Sequence, residues 1–468
     1  MVFSSATFLF YFLPTFLFFY YLLPSKNIVL LAASLLFYAW GEPAFVPILI
    51  FSALLNYSFG RWIAASERRG KLLLSLGIAF NIGLLVKYKY AAFLAETLNQ
   101  IILPWHAGIA VPHIVLPLGI SFFTFQGISY LIDVYRKEVP AQKSLLVFAM
   151  YKAMFPQLIA GPIVRYKQIA AEIEHRAIGN ERLWKGVKQF VVGLSQKVLI
   201  ANAVGYCADQ IFGIDPANLD APTSWIGIAC YTIQILYDFA GYSNMAIGIG
   251  HMIGFSYPPN FEQPYSSLSL TEFWRRWHIS LSTWFRDYLY IPLGGNRGSA
   301  YRTYFNLALV FFLCGLWHGA AWTFVVWGCW HGALLIAERL GLAKVLAKLP
   351  SPFAQAYTLL MVMIGWVFFR ASDVSHALGY LQAMCGLHAV TPATLPWQME
   401  LSASAAVALA VGALLALVRQ ERLVALKEMV TRKPFGVPLS VGATMAAYLF
   451  SVASLASGTY NPFIYFRF

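Results

Sequence analysis

Seven stretches of this 468-residue chain, 6–23, 72–95, 114–132, 186–206, 353–369, 400–418 and 437–457, are apolar over close to the length a bilayer-spanning helix needs. Others, such as 28–40, are short or merge with their neighbours. In lipid each segment must satisfy its own backbone, so the pattern predicts an all-α polytopic membrane protein. Charged residues make up only 11% of the chain, against about 25% in soluble domains, which excludes an ordinary cytosolic enzyme. The formal charge is +13, a value that suggests nucleic acid in a soluble protein. A mean hydropathy of +0.63 leaves too little polar surface for that partner, so the basic excess reads as membrane topology or attraction for an anionic ligand. The five cysteines are widely spaced and lack a C-x-x-C pair, so neither a disulfide framework nor a metal site is expected.

Charge between the runs gives an orientation. Residues 61–71, 162–188 and 419–433 each carry a net +3, whereas 99–113 has no Lys or Arg and 206–224 has only Asp209, Asp215 and Asp220. Basic segments face the cytoplasm, which puts the uncharged and acidic ones, and Phe468, outside. Met1–Leu23 has no basic n-region before Lys26 and reads as a retained first span. Residues 144–161 lie between two basic segments and contain Pro156 and Gly161, so they are expected to form a broken or re-entrant helix shielded by protein. The short run 304–317 reads as a second such element. The expectation is ten or eleven crossings in one integral membrane domain, 1–468, with no internal repeat.

From Asn260 to Arg302 the chain stops looking like a span. Ser269-Leu270-Thr271-Glu272 has capping-box spacing, and Phe273, Trp277, Trp284 and Tyr288 then recur at helical intervals. One reading is an interfacial amphipathic helix with snorkelling arginines. The other adds an anion-binding wall, in which Arg275, Arg276, Arg286 and Arg297 meet the phosphates of a cytosolic donor.

Two Trp-His-Gly triplets follow, Trp317-His318-Gly319 and Trp330-His331-Gly332. A histidine inside an apolar run is a functional hypothesis by default. On one continuous helix the two would lie about 19.5 Å apart and roughly 140° away from each other, so they cannot share a proton unless the chain breaks near Gly319. One is therefore read as reactive and the other as supporting. A neutral imidazole can take the proton of a hydroxyl as that oxygen attacks a carbonyl. Cys314, one turn earlier, reads as packing. Asp238, within Tyr237-Asp238-Phe239-Ala240-Gly241-Tyr242-Ser243-Asn244, needs a partner such as a Tyr hydroxyl, a His or an Arg, and reads as a hydrogen-bond hub.

Taken together these blocks resemble the membrane-bound O-acyltransferase family, and within it the bacterial alginate O-acetylase type. The likeness runs from Met1-Val2-Phe3-Ser4-Ser5 through Leu116-Pro117-Leu118-Gly119-Ile120-Ser121-Phe122, Leu158-Ile159-Ala160-Gly161-Pro162-Ile163 and Asp238-Phe239-Ala240-Gly241-Tyr242-Ser243-Asn244. It continues through Phe273-Trp274-Arg275-Arg276-Trp277-His278 and Arg286-Asp287-Tyr288-Leu289-Tyr290-Ile291-Pro292-Leu293-Gly294-Gly295-Asn296-Arg297 to Gly315-Leu316-Trp317-His318-Gly319. Asn244 departs from the Asp expected in that type, which bears on the polymer rather than the chemistry. The resemblance implies a ring of helices around a thinned central funnel, His318 as the catalytic histidine and His278 as its assistant on the donor side. Trp274 and Trp277 would join the four arginines at the donor, with Asp238, Asn244, His331 and Trp317 supporting. It also implies a bacterial inner-membrane protein without a bound cofactor, embedded in lipid. Such a protein takes an acyl group from a cytoplasmic thioester such as acetyl-CoA and passes it outward, where periplasmic acetyltransferases place it on an exopolysaccharide such as alginate.

The segment Phe463-Ile464-Tyr465-Phe466-Arg467-Phe468 resembles the aromatic C-terminal motif of the small partner in teichoic-acid D-alanylation. By that likeness Tyr465 is a candidate acyl relay, its phenolic proton removed by His318; an aromatic belt anchor is the alternative. Two competing functions remain. A transporter or flippase of an acyl carrier or polymer would carry paired intramembrane charges or two similar halves, and the sequence reads as having neither; a transferase acting directly on lipid or protein would share the histidine and differ in acceptor.

Overall fold

The computed structural model describes residues 2–102, 108–387, 401–431, 435–458 and 460–464. Among these residues every regular element is helical. Five helical runs are long and apolar enough to cross a membrane, namely Pro43–Ala65, Gly70–Ile102, Asn180–Phe212, Ser351–Arg370 and Gly436–Ser457. Phe8–Leu22, Lys26–Gly41 and Ala403–Leu417 are apolar but shorter. Charge alternation calls for a crossing just before the basic segment 61–71, and Pro43–Ala65 is long and apolar enough to supply it, although the apolar character hardly dips between 28 and 65. What separates it is Glu42, at φ −135° and ψ 56°, followed by Pro43. The run predicted at 114–132 becomes the helix Ile120–Tyr135. Gly119 stands before it at φ 78°, where an added Cβ would lie 2.4 Å from the Leu158 carbonyl oxygen, a conformation and a contact that only glycine accepts.

The chain divides into two compact units, 1–187 with 246–258 and 188–245 with 259–468. The first is built around packed aromatic rings, with Phe3 4.8 Å from Phe8 and Phe37 5.3 Å from Phe155. Its helix Leu145–Ala153 breaks at Met154, which has ψ 111°, and a short turn, Phe155–Leu158, follows. Backbone groups freed by such a break are costly unless partnered. Here the Phe155 N–H donates to Ser34 Oγ (3.1 Å), and the Tyr151 carbonyl accepts from Gln157 Nε2 (2.8 Å). The broken helix read from Pro156 and Gly161 is thus present, and its open hydrogen bonds are closed by side chains.

The second unit carries the candidate site. The expected single helix after Asn260 is two helices, Leu270–Arg276 and Ile279–Phe285, with a π-helical turn at Arg286–Tyr290. The cap forms as read, Ser269 Oγ accepting from the Glu272 N–H at 3.1 Å, while the Glu272 carboxylate accepts from Leu268 N at 2.8 Å rather than from the cap residue itself. The run 304–317 is not a short element. Ser299 Oγ caps a helix one turn earlier, and Ala300–His318 extends over 19 residues. It pairs with Trp322–Ala337 as a tight hairpin. A Cβ on Gly315 would lie 2.3 Å from the Phe324 carbonyl oxygen, and one on Gly328 2.3 Å from that of Phe311, so only glycine permits this approach.

Candidate functional site

The chain does break after His318. Gly319 is extended, at φ −159° and ψ 152°, and an added Cβ would fall 2.1 Å from the Phe324 ring. The hairpin therefore folds both triplets around one indole. The Trp327 ring centroid lies 4.9 Å from that of His318 and 5.2 Å from that of His331. The two histidines have different neighbours. His331 is fully buried, and its Nδ1 accepts from Trp274 Nε1 at 3.3 Å. An indole N–H only donates, so the proton of His331 sits on Nε2. His318 faces His278 instead, with ring centroids 6.4 Å apart, and Trp317 packs on both, 4.9 Å from His318 and 5.9 Å from His278. Phe369, 5.2 Å from His318, closes an aromatic enclosure.

His278 is held in an unusual way. It occupies the break between the two short helices in the left-handed region, φ 44° and ψ 53°, a conformation that costs a non-glycine residue about 1–3 kcal/mol and persists only where its surroundings impose it. Asn260 imposes it. Its main-chain oxygen accepts from Ile279 N at 2.9 Å. Its Oδ1 is shared by His278 Nδ1 (3.2 Å), Ser280 N (3.2 Å) and Ser280 Oγ (2.9 Å), and its Nδ2 donates to Ser243 Oγ at 3.0 Å. Sequence reasoning missed Asn260. The only signal available was a lone buried amide immediately before Phe261, and no spacing rule links it to His278, 18 positions on.

The long helix Ala221–Met252 supplies three neighbours from three adjacent rows. Phe239 packs on His278 at 4.6 Å, and Ser243, one turn on, holds Asn260. Asp238 and Tyr242 form the next row. The partner of Asp238 is neither Tyr, His nor Arg but Lys197, whose Nζ lies 2.7 Å from Oδ1. The third row, Tyr237, Ala240 and Asn244, borders a mostly apolar cavity of about 850 Å³. Asn244 uses both ends of its amide, accepting from Gln189 Nε2 and donating to Gln196 Oε1, each at 2.7 Å. An Asp there has no N–H to donate. Lys197–Asp238 is the kind of paired buried charge a transporter reading asks for, but here residues 462 and 464 of the same chain complete it.

The predicted donor arginines disperse. Arg275 and Arg286 line a cavity of about 240 Å³ together with Arg339, Thr271, Trp274 and Cys314. Cys314 is a wall of that cavity, one turn before His318. Arg339 was not among the sequence candidates, although it opens a basic stretch. Arg276 is bound to Glu272 at 2.9 Å and lines a different, polar cavity of about 930 Å³, where Glu262, Glu272, Glu421 and Glu428 outnumber Arg275 and Arg276. That excess of carboxylates repels a polyanion. Arg297 is exposed and borders neither space. Trp277 packs in the core, 4.9 Å from both Phe261 and Trp366. Tyr465 lies outside the described residues. Among the described residues no cluster of three metal-ligating side chains occurs.

Comparison with known proteins places this chain among acyltransferases. The sequence profile of the membrane-bound O-acyltransferase family (MBOAT) matches residues 136–369. The chain is similar to the probable alginate O-acetylase AlgI of Azotobacter vinelandii, at 45% identity over 82% of this chain and 78% of that protein. It is 40% identical to the protein of that name in Pseudomonas putida, over the full length of both. A peptidoglycan O-acetyltransferase of Helicobacter pylori is 36% identical over 84% of this chain and 81% of that protein.

Proposed function

The chain belongs to the membrane-bound O-acyltransferase family, and on that premise we propose that it moves an acetyl group from a cytoplasmic thioester to the outer face of the membrane for O-acetylation of an exopolysaccharide such as alginate. The observation that carries this reading is the 240 Å³ cavity whose wall runs from Arg275, Arg286 and Arg339 to Trp274 and Cys314, one turn from His318. It is smaller than the roughly 300–1,000 Å³ of a site that encloses a whole ligand. It suits the thioester arm of acetyl-CoA or another acyl thioester, with the phosphates outside among the arginines.

In the proposed reaction His318 takes the proton of an acceptor hydroxyl as that oxygen attacks the thioester carbonyl. The C–O bond forms, the C–S bond breaks, and the proton passes to the departing thiolate. The bond between His278 and Asn260 favours a fixed ring beside His318, at the donor side. The acceptor we assign is the phenol of Tyr465. The resulting Tyr465 ester then gives its acetyl group to a periplasmic acetyltransferase, regenerating the phenol. Anchoring of the preceding residue, Ile464, on Asp238 at 2.8 Å supports delivery of that side chain to the site.

Purified protein with acetyl-labelled acetyl-CoA tests the scheme. Label should appear on the protein, vanish in His318→Ala, and vanish in Tyr465→Phe. Absence of label from the unaltered protein, with acetyl-CoA left intact, would refute the thioester donor. Label surviving Tyr465→Phe would exclude the relay and leave His318 as the base for another acceptor.

A further inference from the structure

The reaction above gives no role to the ion pair between Lys197 and Asp238, yet a membrane-embedded charge is kept only where it is partnered and used. Lys197 lies in the π-helical turn Gln196–Ala201. That turn is drawn onto the helix Ala221–Met252 by a glycine crossing, since a Cβ on Gly193 would come 2.4 Å from the Gly241 carbonyl oxygen, and one on Gly241 2.7 Å from that of Gly193. Small residues of this kind let helices approach closely in membranes. The two charged side chains are 4% and 2% exposed.

A buried pair is tolerable only when its remaining donors and acceptors are also satisfied. The Lys197 ammonium has three N–H groups. Two are donated, to Asn202 Oδ1 (2.6 Å) and to the carbonyl oxygen of Pro462, and Asp238 Oδ1 lies 2.7 Å away as the opposite charge. The other carboxylate oxygen of Asp238 accepts the main-chain N–H of Ile464 at 2.8 Å. Cation and anion thus each end on the main chain of one short segment, and the signs match, carbonyl to ammonium and N–H to carboxylate. The rest of the segment is anchored around them. Tyr460 donates to Asp209 Oδ2 at 2.7 Å, Asn461 Oδ1 accepts from Asn202 Nδ2 at 3.1 Å, and Phe463 stacks on Tyr242 at 4.7 Å. The contacts to Asp238 and Tyr242 lie on the 238/242 row of the helix, next to the 239/243 row that supports His278.

We infer that Lys197 and Asp238 are positioning residues, a main-chain clamp that holds segment 460–464 on the helix Ala221–Met252, and that acyl transfer requires the segment to be held there. The second half of the inference rests on the reading of Tyr465 as the relay. Because recognition is through the main chain, the substitution that breaks it without touching the helix bundle is the one that removes an N–H.

The test is amide hydrogen exchange of the peptide covering 460–464, in the full-length detergent-solubilised protein, alongside transfer of labelled acetyl. Ile464→Pro deletes the donated N–H, whereas Ile464→Val keeps it. The double exchange Lys197→Asp with Asp238→Lys keeps an ion pair but presents the wrong sign to both main-chain groups. Ile464→Pro and the double exchange should speed exchange of the remaining segment amides by roughly 10-fold to 100-fold, the loss of one hydrogen bond to a charged acceptor, and lower transfer in parallel. Ile464→Val should leave protection in place. Full protection in Ile464→Pro would overturn the clamp, and a released segment with undiminished transfer would overturn its positioning role. A released segment with lost transfer, beside full transfer in Tyr465→Phe, would sustain the clamp and remove the relay.

Discussion

Asn260→Ala tests the core of the site at a residue that touches no substrate. The side chain is 1% exposed, and its Oδ1 serves His278 Nδ1, Ser280 N and Ser280 Oγ. Truncation leaves the Ile279 N–H bond to the Asn260 carbonyl intact, so the break between the helices survives. The hydroxyl of Ser280 can rotate to another acceptor, but its N–H cannot, and one buried N–H left unpaired costs about 1–3 kcal/mol. A modest loss of thermal stability in detergent follows. The larger effect is on the reaction. His278 loses the acceptor that orients its ring 6.4 Å from His318, and misplacement of a catalytic group by about 1 Å is worth up to 100-fold. The expected result, from initial rates with labelled acetyl-CoA, is a kcat lowered roughly 10-fold to 100-fold with KM for the donor almost unchanged. Ser280→Ala keeps its N–H and the His278 contact, and should change kcat far less. Should Asn260→Ala lose stability as expected but keep kcat within about twofold, the orientation of His278 would not matter to transfer.

Three further outcomes are expected. Gly328→Ala places a Cβ 2.3 Å from the Phe311 carbonyl oxygen; spreading the hairpin should cost about 1–3 kcal/mol and displace His318 from Trp327, read as loss of transfer in protein that still purifies as a monodisperse species. Arg339→Ala should raise KM for acetyl-CoA severalfold, by less at high salt, whereas Arg297→Ala, outside the cavity, should leave KM alone; equal effects would refute the assignment of the donor cavity. At the basic loop after Tyr135, the hydrogen bond from Lys167 (2.6 Å) holds the Glu138 carboxyl below its ordinary value of 4.5. A carboxyl lowered by folding stabilises above its unfolded pKa, and that contribution is lost as pH falls through the folded one. Glu138→Gln should therefore lower the melting temperature above the unfolded carboxyl pKa and converge with the unaltered protein at the acid end, as followed by thermal melts between pH 6 and pH 3; an equal loss at both ends would refute the linkage.

The parts of this protein that sequence makes legible are those with a local cause. Apolar runs predict the helices, Ser269 and Glu272 predict the start of Leu270–Arg276, and Pro156 with Gly161 predicts a broken helix. The spacing of His318 and His331 separates them only on a continuous helix, and the break at Gly319 brings both onto Trp327 instead. The break at His278 has no such cause. Trp277 and His278 are ordinary helix residues by propensity, the periodicity of Phe273, Trp277, Trp284 and Tyr288 argues for continuity, and what stops the helix is Asn260, outside it. Pro43–Ala65 has no separate apolar run, because a turn of only a few residues interrupts the stretch without changing its composition, and the crossing is legible only from the charges that follow it.

Partner choice at Asp238 shows the same limit from another side. A buried carboxylate demands a partner, and the sequence states that demand but not who answers it. The answer comes from Lys197, 41 positions earlier, placed by a glycine crossing that reads as two unremarkable small residues in two apolar helices. Once Gly193 and Gly241 touch, the helix bearing Asp238 presents successive residues to different neighbours about 100° apart. Tyr237 faces a cavity, Asp238 an ion pair and a chain segment, and Phe239 the histidine beside His318. A strand of the same length would have only two faces. Three distinct tasks on consecutive residues need a helix whose whole circumference is buried, which is why Tyr237, Asp238 and Phe239 are all buried. It is also why a polar block stands in the middle of an otherwise apolar run.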